Sequence, residues 1–414
     1  MKPIKMGIFG FGRGGYFCDN ILWNNGEVVA VCENNPERIE RAKKKLGENF
    51  PIFTDFDEFL KQDMDAVFIC NHFHNHASYA IKCLEKGIHV LSETTSNGTM
   101  AEGVALVRAA EKSKAIYMLA ENYPYMKFNQ EIYKVYRTGK LGKALFCEGE
   151  YNHPIDWTDD KTTLELIPCE THWRLYLPAT YYLTHALAPL MRFTGAFPKR
   201  VTVFPVFSPE NKPGFSGDRA AIITTLNDDD SVFRVMGWAG FGAEENSYRI
   251  CATKGQIENV RGTNGKIMLR YNPWETPEGE ESEQFYSPEW AAEDQAAENA
   301  GHGGGDFFLM REFFKCIRAG KPNEFDVYFA TTMASVAILG HRSLMENGMP
   351  YDIPDFRKEE DRKKYENDTL TPFYGVDGTP PIVPCCSRPD YQPPKDVMEH
   401  YKKILAEYQA KYKI

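Results

Sequence analysis

The sequence predicts an α/β protein, with a doubly wound parallel sheet followed by an α+β domain that has an open, mostly antiparallel sheet. Over roughly the first 120 residues, short apolar segments alternate with helical patterns, as in βαβ units whose strands are buried on both faces. After residue 125, strand-like segments follow one another closely, with turn residues between them. We therefore predict domains at 1–124 and 125–350, followed by a tail at 351–414.

The N-terminal domain shows strands and helices in alternation. Short apolar segments predict its strands at 6–9, 28–31, 65–70, 89–91 and 116–119. Between them, 36–46 and 100–113 have the residue spacing of helices. Strands separated by helices of this length favour a parallel sheet.

The second domain has a different rhythm. Its strands are predicted at 145–151, 200–207, 220–226, 232–238, 247–252 and 266–271. The acidic, Gly-rich stretch 275–306 predicts a loop, and Asp306 is predicted to cap a helix that ends at Gly320. A further helix is predicted at 326–346.

The tail combines an extended arm with a terminal helix. Seven prolines between Pro372 and Pro394 favour an extended chain. The helix that follows has one apolar and aromatic face, made of Val397, Tyr401, Leu405, Tyr408 and Tyr412. Because that face would otherwise meet water, we expect the helix to dock on this chain or on a neighbouring subunit.

The composition excludes several protein classes. With 48 Lys+Arg against 58 Asp+Glu, the net charge of −10 argues against a general nucleic-acid or anionic-membrane surface. No apolar run approaches the ~18 residues of a membrane span, and 1–6 lack a secretory apolar region. The ten cysteines include no CxxC pair, which predicts reduced thiols and a cytoplasmic protein. His72, His74 and His76 alternate, but no Cys or carboxylate completes a local metal site, so we predict no metal.

A glycine-rich segment after the first strand indicates a dinucleotide site. Gly10-Phe11-Gly12-Arg13-Gly14-Gly15 matches G-x-G-x-x-G through Gly10, Gly12 and Gly15. In a Rossmann domain these glycines serve the tight turn, the approach of the pyrophosphate and helix–sheet packing, respectively. Glu33 lies 23 residues after Gly10, where an acid binds the adenosine ribose. Glu33 would repel a 2′-phosphate and neither Asn34 nor Asn35 supplies a cation, so NAD is favoured over NADP.

Several further motifs resemble the glucose–fructose oxidoreductase/inositol dehydrogenase (Gfo/Idh/MocA) family, over roughly residues 4–350. His76 precedes a stretch ending in Glu93, and His185 lies ten residues before Gly195, as the family's catalytic histidine does before a glycine. Short strings resemble one branch in particular, the NAD-dependent α-N-acetylgalactosaminidases: Tyr182-Leu183-Thr184-His185, Glu121-Asn122-Tyr123-Pro124-Tyr125, Glu148-Gly149-Glu150-Tyr151-Asn152-His153 and His302-Gly303-Gly304-Gly305-Asp306. The family's usual catalytic lysine is replaced by Thr94, and the usual aspartate by Tyr181.

The resemblance implies a set of site residues. The catalytic candidates are His185, Tyr182 and Tyr125. The residues implied to bind the cofactor are Gly10, Phe11, Gly12, Arg13, Gly15, Glu33, Asn71, His76, Glu93 and Asn122. Those implied to bind the substrate are Tyr151, His153, Trp173, Arg174 and His302.

Three functions remain open at the level of the sequence. The first is an NAD-dependent oxidoreductase that acts on a ring hydroxyl, at C3, of a pyranose or glycoside, with His185 as acid/base. The second is a redox-neutral glycoside hydrolase that oxidises, eliminates, hydrates and re-reduces its substrate. The third is a dinucleotide-binding subunit without catalysis. By analogy with the family, we also expect a homo-oligomer, a dimer or larger.

Overall fold

A computed structural model describes residues 2–209 and 212–412. The N-terminal sheet is wholly parallel, and its strands are β1 Ile4–Phe9, β2 Gly26–Cys32, β3 Ile52–Phe53, β4 Ala66–Ile69, β5 His89–Ser92 and β6 Tyr117–Leu119. Their order is β3-β2-β1-β4-β5-β6, which changes direction between β1 and β4. In such sheets ligands bind beyond the carboxyl ends of the strands at that switch point. The predicted doubly wound Rossmann sheet is confirmed.

The helices of this domain cover both faces of the sheet. They are α1 Phe11–Gly14, α2 Cys18–Trp23, α3 Pro36–Leu46, α4 Phe56–Phe59, α5 His76–Glu85 and α6 Met100–Lys112. A 3₁₀ turn, Gly15–Phe17, interrupts the first helix after the glycine loop. A second 3₁₀ turn, Tyr123–Tyr125, leads into the next domain.

The second sheet has nine strands and is mostly antiparallel. They are β7 Ala144–Asn152, β8 Pro198–Phe207, β9 Asp218–Asn227, β10 Val232–Ala239, β11 Glu245–Ala252, β12 Gly255–Asn259, β13 Ile267–Tyr271, β14 Glu283–Tyr286 and β15 Tyr351–Asp352. Their order is β14-β13-β12-β11-β7-β10-β9-β8-β15, and β7 pairs in parallel with β10. The predicted open α+β sheet is confirmed.

Some of the remaining helices pack on one face of this sheet, and others belong to the tail. They are α7 Lys127–Arg137, α8 Asp160–Leu166, α9 Thr184–Thr194, α10 Gly305–Ala319, α11 Val327–Met345, α12 Glu359–Tyr365 and α13 Lys395–Tyr412. Helix α9 lies against β7, β10 and β11, whereas α11 packs on β8 and also on β6 and α6 of the first domain. A single buried apolar core therefore runs through both sheets.

Two local expectations are corrected. The stretch 275–306 is not a plain loop, because it contains β14 and a 3₁₀ helix, Ala292–Asn299. Helix α10 is not capped by Asp306: Gly304 occupies the cap position, and Asp306 lies in the first turn. The Asp306 side chain is instead turned toward the first domain, where it pairs with Arg13.

The tail runs back along both domains and its helix docks on this chain. Phe373 is fully buried and stacks on His74 at 4.8 Å between ring centroids. Further along, the Ser387 amide and hydroxyl donate to the Asp218 carboxylate. Helix α13 then packs on α8 through Tyr401 and Leu405. Across the described residues, none of the helices has both the length and the apolar character that a membrane span requires.

Candidate functional site

A long groove of about 1360 Å³ follows the carboxyl ends of the parallel strands. Gly10 and Gly12 line it, together with Glu33 after β2 and Asn71 after β4. Gly10 has φ +96°, and a Cβ there would stand 2.4 Å from the Cys70 carbonyl oxygen. The residue must therefore be glycine, and its loop is held tightly against β4.

The glycine that permits close packing of the helix on the sheet is not the predicted one. A Cβ on Gly14 would stand 2.3 Å from the Ile8 side chain of β1, so Gly14 permits the close helix–strand packing. Gly15 was predicted to do this, but a Cβ there would meet the Phe11 ring at 2.9 Å, within the loop itself. The match to G-x-G-x-x-G identified the right loop and the wrong packing glycine.

Glu33 is buried and anchors the glycine loop within the groove. Its carboxylate accepts hydrogen bonds from the Phe11 amide at 2.8 Å and from the Asn34 and Asn35 amides at 2.9 Å each. Arg38, from the first turn of α3, also lines the groove and was missed in the sequence. Its guanidinium lies over Gly12, 3.1 Å from the position of a Cβ there.

These residues fit a dinucleotide. The glycine loop leaves a backbone surface open beside the start of a helix, as a pyrophosphate requires. Asn71 faces the groove, and its buried Oδ1 has no hydrogen-bond partner among the described residues. Besides the Glu33 carboxylate, the groove thus offers a hydrogen-bond acceptor that no described residue uses.

The ten residues implied to bind the cofactor separate into two groups. Five line the groove: Gly10, Gly12, Arg13, Glu33 and Asn71. The other five lie outside its lining: Phe11, Gly15, His76, Glu93 and Asn122. His76 is buried beneath the groove, with its ring nitrogens at the Thr95 and Asn71 carbonyl oxygens, so it braces two loops.

Arg13 joins the glycine loop to the second domain. Its guanidinium pairs with Glu93 at 2.9 Å and with Asp306 of α10 at 3.2 Å. Asn122 donates to Asp306 Oδ1 at 2.7 Å, and His302 Nδ1 lies 3.0 Å from Oδ2. Burial alone would raise the pKa of Asp306, but Arg13 and these hydrogen bonds hold the pKa well below its ordinary value. Asp306 is therefore an anion that fixes Arg13.

His185 is held by a buried carboxylate that the sequence did not single out. It is the second residue of α9, whose first turn lies close to the sheet because Gly149 and Gly237 have no side chains. His185 Nδ1 lies 2.7 Å from Oε1 of the fully buried Glu121. A carboxylate only accepts hydrogen bonds, so Nδ1 carries the hydrogen. Nε2, without a partner among the described residues, is left as the basic nitrogen.

Aromatic rings surround His185 on several sides. Tyr123 stacks on the imidazole at 3.9 Å between centroids, and Tyr151 and Tyr182 meet it edge-on at 4.9 and 5.3 Å. Burial raises the pKa of Tyr123, Tyr151 and Tyr182. All three hydroxyls therefore stay protonated at neutral pH and can act as donors.

Tyr125 does not belong to this group. It is almost fully buried, with the Arg192 guanidinium 4.4 Å from its ring centre and Phe325 beside it. Burial raises its pKa well above the ordinary value. The 3₁₀ turn directs Tyr123 toward His185 and Tyr125 away from it, so the structure corrects the choice of Tyr125 as a catalytic residue.

A second cavity of about 380 Å³ lies next to the tyrosines. Tyr151, His153, Arg174 and Tyr182 line it, with Trp238 closing one side. This cavity and the groove share Glu165, Leu166 and Arg174, so the two spaces meet. The arrangement can place a small molecule beside a cofactor.

The remaining substrate candidates lie at the edges of these spaces. Trp173 lines the groove and stacks on Phe73 at 4.8 Å between ring centroids, and the Arg174 guanidinium lies over the Trp173 ring at 4.4 Å from its centre. His302 is outside both linings, paired with Asp306 and 6.0 Å from the Tyr123 ring. No cluster of three or more His, Cys, Asp or Glu in the described part of the chain is arranged to hold a metal.

The similarity to known families follows this division into two domains. Residues 4–121 match the Gfo/Idh/MocA oxidoreductase family with an NAD-binding Rossmann fold, and 245–363 match the C-terminal domain of glycosyl hydrolase family 109. The chain thus joins a domain similar to the Gfo/Idh/MocA Rossmann domain to one similar to the C-terminal domain of glycosyl hydrolase family 109. The resemblance seen in the sequence motifs is thereby confirmed, as is NAD as the cofactor of the domain.

Relatives extend the match over most of the chain. A glycosyl hydrolase family 109 protein of Streptomyces niveus is 25% identical over 392 residues, covering 87% of this chain and 79% of the relative. An α-N-acetylgalactosaminidase of Shewanella oneidensis is 24% identical over 399 residues, covering 86% of each chain.

Solved structures share the fold. Levoglucosan dehydrogenase in complex with NADH and L-sorbose has a TM-score of 0.71 at 18% identity, covering 86% of this chain and all of the other. Aldose-aldose oxidoreductase from Caulobacter crescentus has a TM-score of 0.66 at 16% identity, covering 85% and 100%.

Proposed function

We propose that this protein oxidises a ring hydroxyl, at C3, of a pyranose or glycoside with NAD. The observation that carries the proposal is the buried Glu121–His185 pair, set among tyrosines next to a cavity that opens into the dinucleotide groove. Relatives and structural neighbours that bear the names of sugar dehydrogenases and glycosidases support a carbohydrate substrate.

The chain's own residues supply the proton chemistry. When bound, NAD⁺ would accept a hydride from the ring carbon. His185 Nε2 takes the proton of the hydroxyl on that carbon, while Glu121 stabilises the resulting imidazolium through Nδ1. The protonated hydroxyls of Tyr151 and Tyr182 donate hydrogen bonds to sugar oxygens. Arg174 and Trp238, which line the cavity, offer a cation and an aromatic face to the sugar.

The test is a panel of pyranoses and nitrophenyl glycosides with the wild type and His185→Ala. We expect NADH formation on at least one sugar with the wild type and a loss of about 10²- to 10⁴-fold with the variant. NADH binding should remain, because His185 is not in the lining of the groove. Equal turnover of both proteins would reject His185 as the base.

A second candidate is glycoside hydrolysis with the cofactor reused. The match of 245–363 to the glycosyl hydrolase 109 domain favours it. A ketone at C3 makes the C2 proton acidic, so a base can remove that proton and the C1 group can leave. Water addition and reversal of the oxidation complete the cycle. Aglycone release without net NADH, with C2 deuterium taken up from solvent, would establish this reaction, and release without exchange would exclude it.

We also infer that copies of the chain associate through the uncovered face of the second sheet. That face exposes Phe204, and Glu148 pairs there with Arg234 and Arg249. An exposed aromatic ring and paired charges on one face suit a self-complementary surface. Light scattering of Phe204→Glu and the wild type tests this, and an unchanged assembly size would contradict it.

The thiols support residence in a reducing compartment, the cytoplasm. All ten cysteines lie in the described residues and are unpaired. Burial raises the pKa of Cys83 and Cys385 to about 12, so neither is a reactive thiolate at neutral pH.

A further inference from the structure

Helix α13 reaches the dinucleotide groove. Tyr401, Ile404 and Leu405 are its buried residues, and the Tyr401 hydroxyl donates to the Ile167 carbonyl at 3.3 Å. Tyr408, Lys411 and Tyr412 line the groove. These positions follow one another at three- and four-residue intervals, so one face of the helix both anchors it and continues over the groove.

The end of α13 lies at the adenosine side of the groove. The Asn35 side-chain amide donates to the Tyr408 hydroxyl at 3.2 Å, and that hydroxyl donates to Glu37 at 3.0 Å. Asn35 and Glu37 follow Glu33, the acid placed to bind the adenosine ribose. The Tyr408 hydroxyl is thereby held by two residues that lie two and four positions after Glu33 in the sequence.

We propose that α13 completes the cofactor site by placing Tyr408 against the adenosine half of the dinucleotide, with Lys411 beside it. The inference rests on dinucleotide binding in this groove but not on which sugar is oxidised. Both family matches end before residue 364, so neither of them includes helix α13 or this contact. The helix, anchored on the second domain, holds the adenosine half against release and slows exchange of the cofactor.

The test separates the two halves of the dinucleotide. NADH fluorescence, with competition by ADP-ribose or nicotinamide mononucleotide, gives affinities for Tyr408→Ala, and a chase of loaded protein gives the NADH release rate. We expect about tenfold weaker ADP-ribose binding and faster NADH release, as for loss of an aromatic–base contact, with unchanged affinity for nicotinamide mononucleotide. Tyr408→Leu, which keeps apolar bulk, should behave like Tyr408→Ala, whereas Tyr408→Phe should retain most of the affinity.

Lys403→Ala is the matched control, because Lys403 is exposed on the same helix. ADP-ribose affinity of Tyr408→Ala and Tyr408→Leu within twofold of the wild type would overturn the inference. So would an equal loss in Lys403→Ala, since that would mark a general effect on the helix. Sugar oxidation is read separately: absence of turnover alongside Tyr408-dependent ADP-ribose binding would reject the proposed reaction and leave the adenosine contact standing.

Discussion

At the scale of single residues, Glu121 is the position where a small change should have a large effect. It is fully buried and its only described side-chain contacts at Oε1 are His185 Nδ1 and the Tyr123 amide. In Glu121→Gln the amide can still accept from Nδ1, but the negative charge that stabilises the imidazolium is gone. We expect kcat to fall about 10²- to 10³-fold, with NADH affinity within twofold of the wild type.

The measurement is initial rates on whichever sugar the wild type oxidises, with NADH titrations beside them. Glu150→Gln is the control, since Glu150 lies in β7 of the second sheet and pairs with Arg261 at 2.6 Å on the uncovered face. Unchanged kcat in Glu121→Gln would show that His185 acts without a charged partner.

The residue scale also shows how far the sequence could predict the site. His185 and Tyr182 were found from a short string, and the structure places them together. In the string that holds Glu121 and Tyr125, however, the residues that contact His185 are Glu121 and Tyr123. The direction of each tyrosine in this 3₁₀ turn depends on tertiary packing, here of Tyr125 against Arg192 and Phe325. The spacing of residues in the sequence does not predict such packing.

At the scale of elements, the extended arm behaves as a packed part of the core. Phe373 is fully buried against His74, Phe73 and Tyr181. Phe373→Ala should destabilise the protein by about 3–5 kcal/mol, as large-to-small core substitutions do. Val376, 73% exposed on the same arm, is the control, and Val376→Ala should change stability by less than about 0.5 kcal/mol. Calorimetric melting of both variants checks this, and equal stabilities would show that the arm is loosely held.

The histidine-bearing loop after β4 should make the fold sensitive to acid. Burial lowers the pKa of His72, His74, His76 and His172, that of His74 to about 4. An unfolded histidine titrates near ~6.5. Between these values the unfolded chain binds more protons than the folded chain, so these histidines make the protein less stable as the pH drops from about 6.5 to about 4 and add no pH dependence above that range.

For His74 alone the loss between about pH 7 and pH 5 is ~2 kcal/mol. Urea melts at both pH values measure it, and His74→Gln, which cannot take up the proton, should show a smaller difference than the wild type. A difference unchanged by the substitution would place the acid sensitivity elsewhere.

The elements themselves were predictable where a local signal decides them. The parallel strands have continuous apolar segments and the terminal helix has one apolar face, and the structure contains both kinds of element. The start of α10 was not predictable from a local signal. Asp306 is a residue type that often caps helices, but its side chain pairs with Arg13, which lies 293 positions away in the sequence. Such a long-range ion pair leaves no mark on neighbouring residues.

At the scale of the whole molecule, cofactor binding should stabilise both domains together. The groove is lined by the parallel sheet, by 161–174 of the second domain and by α13, and the Arg13–Asp306 pair joins the domains beneath it. At a free NAD⁺ concentration of about 100 Kd, mass action adds about 2.7 kcal/mol. For 414 residues this corresponds to a rise in Tm of about 3 °C.

Differential scanning calorimetry measures this rise, and we expect one transition that shifts as a unit, since a single core runs through both sheets. ADP-ribose should shift it in the same direction, because it carries the adenosine and pyrophosphate groups that we propose bind beside Tyr408 and the glycine loop. If the second sheet instead unfolded in a separate transition at lower temperature, with a Tm that NAD⁺ does not change, the Arg13–Asp306 pair and the tail would not couple the domains.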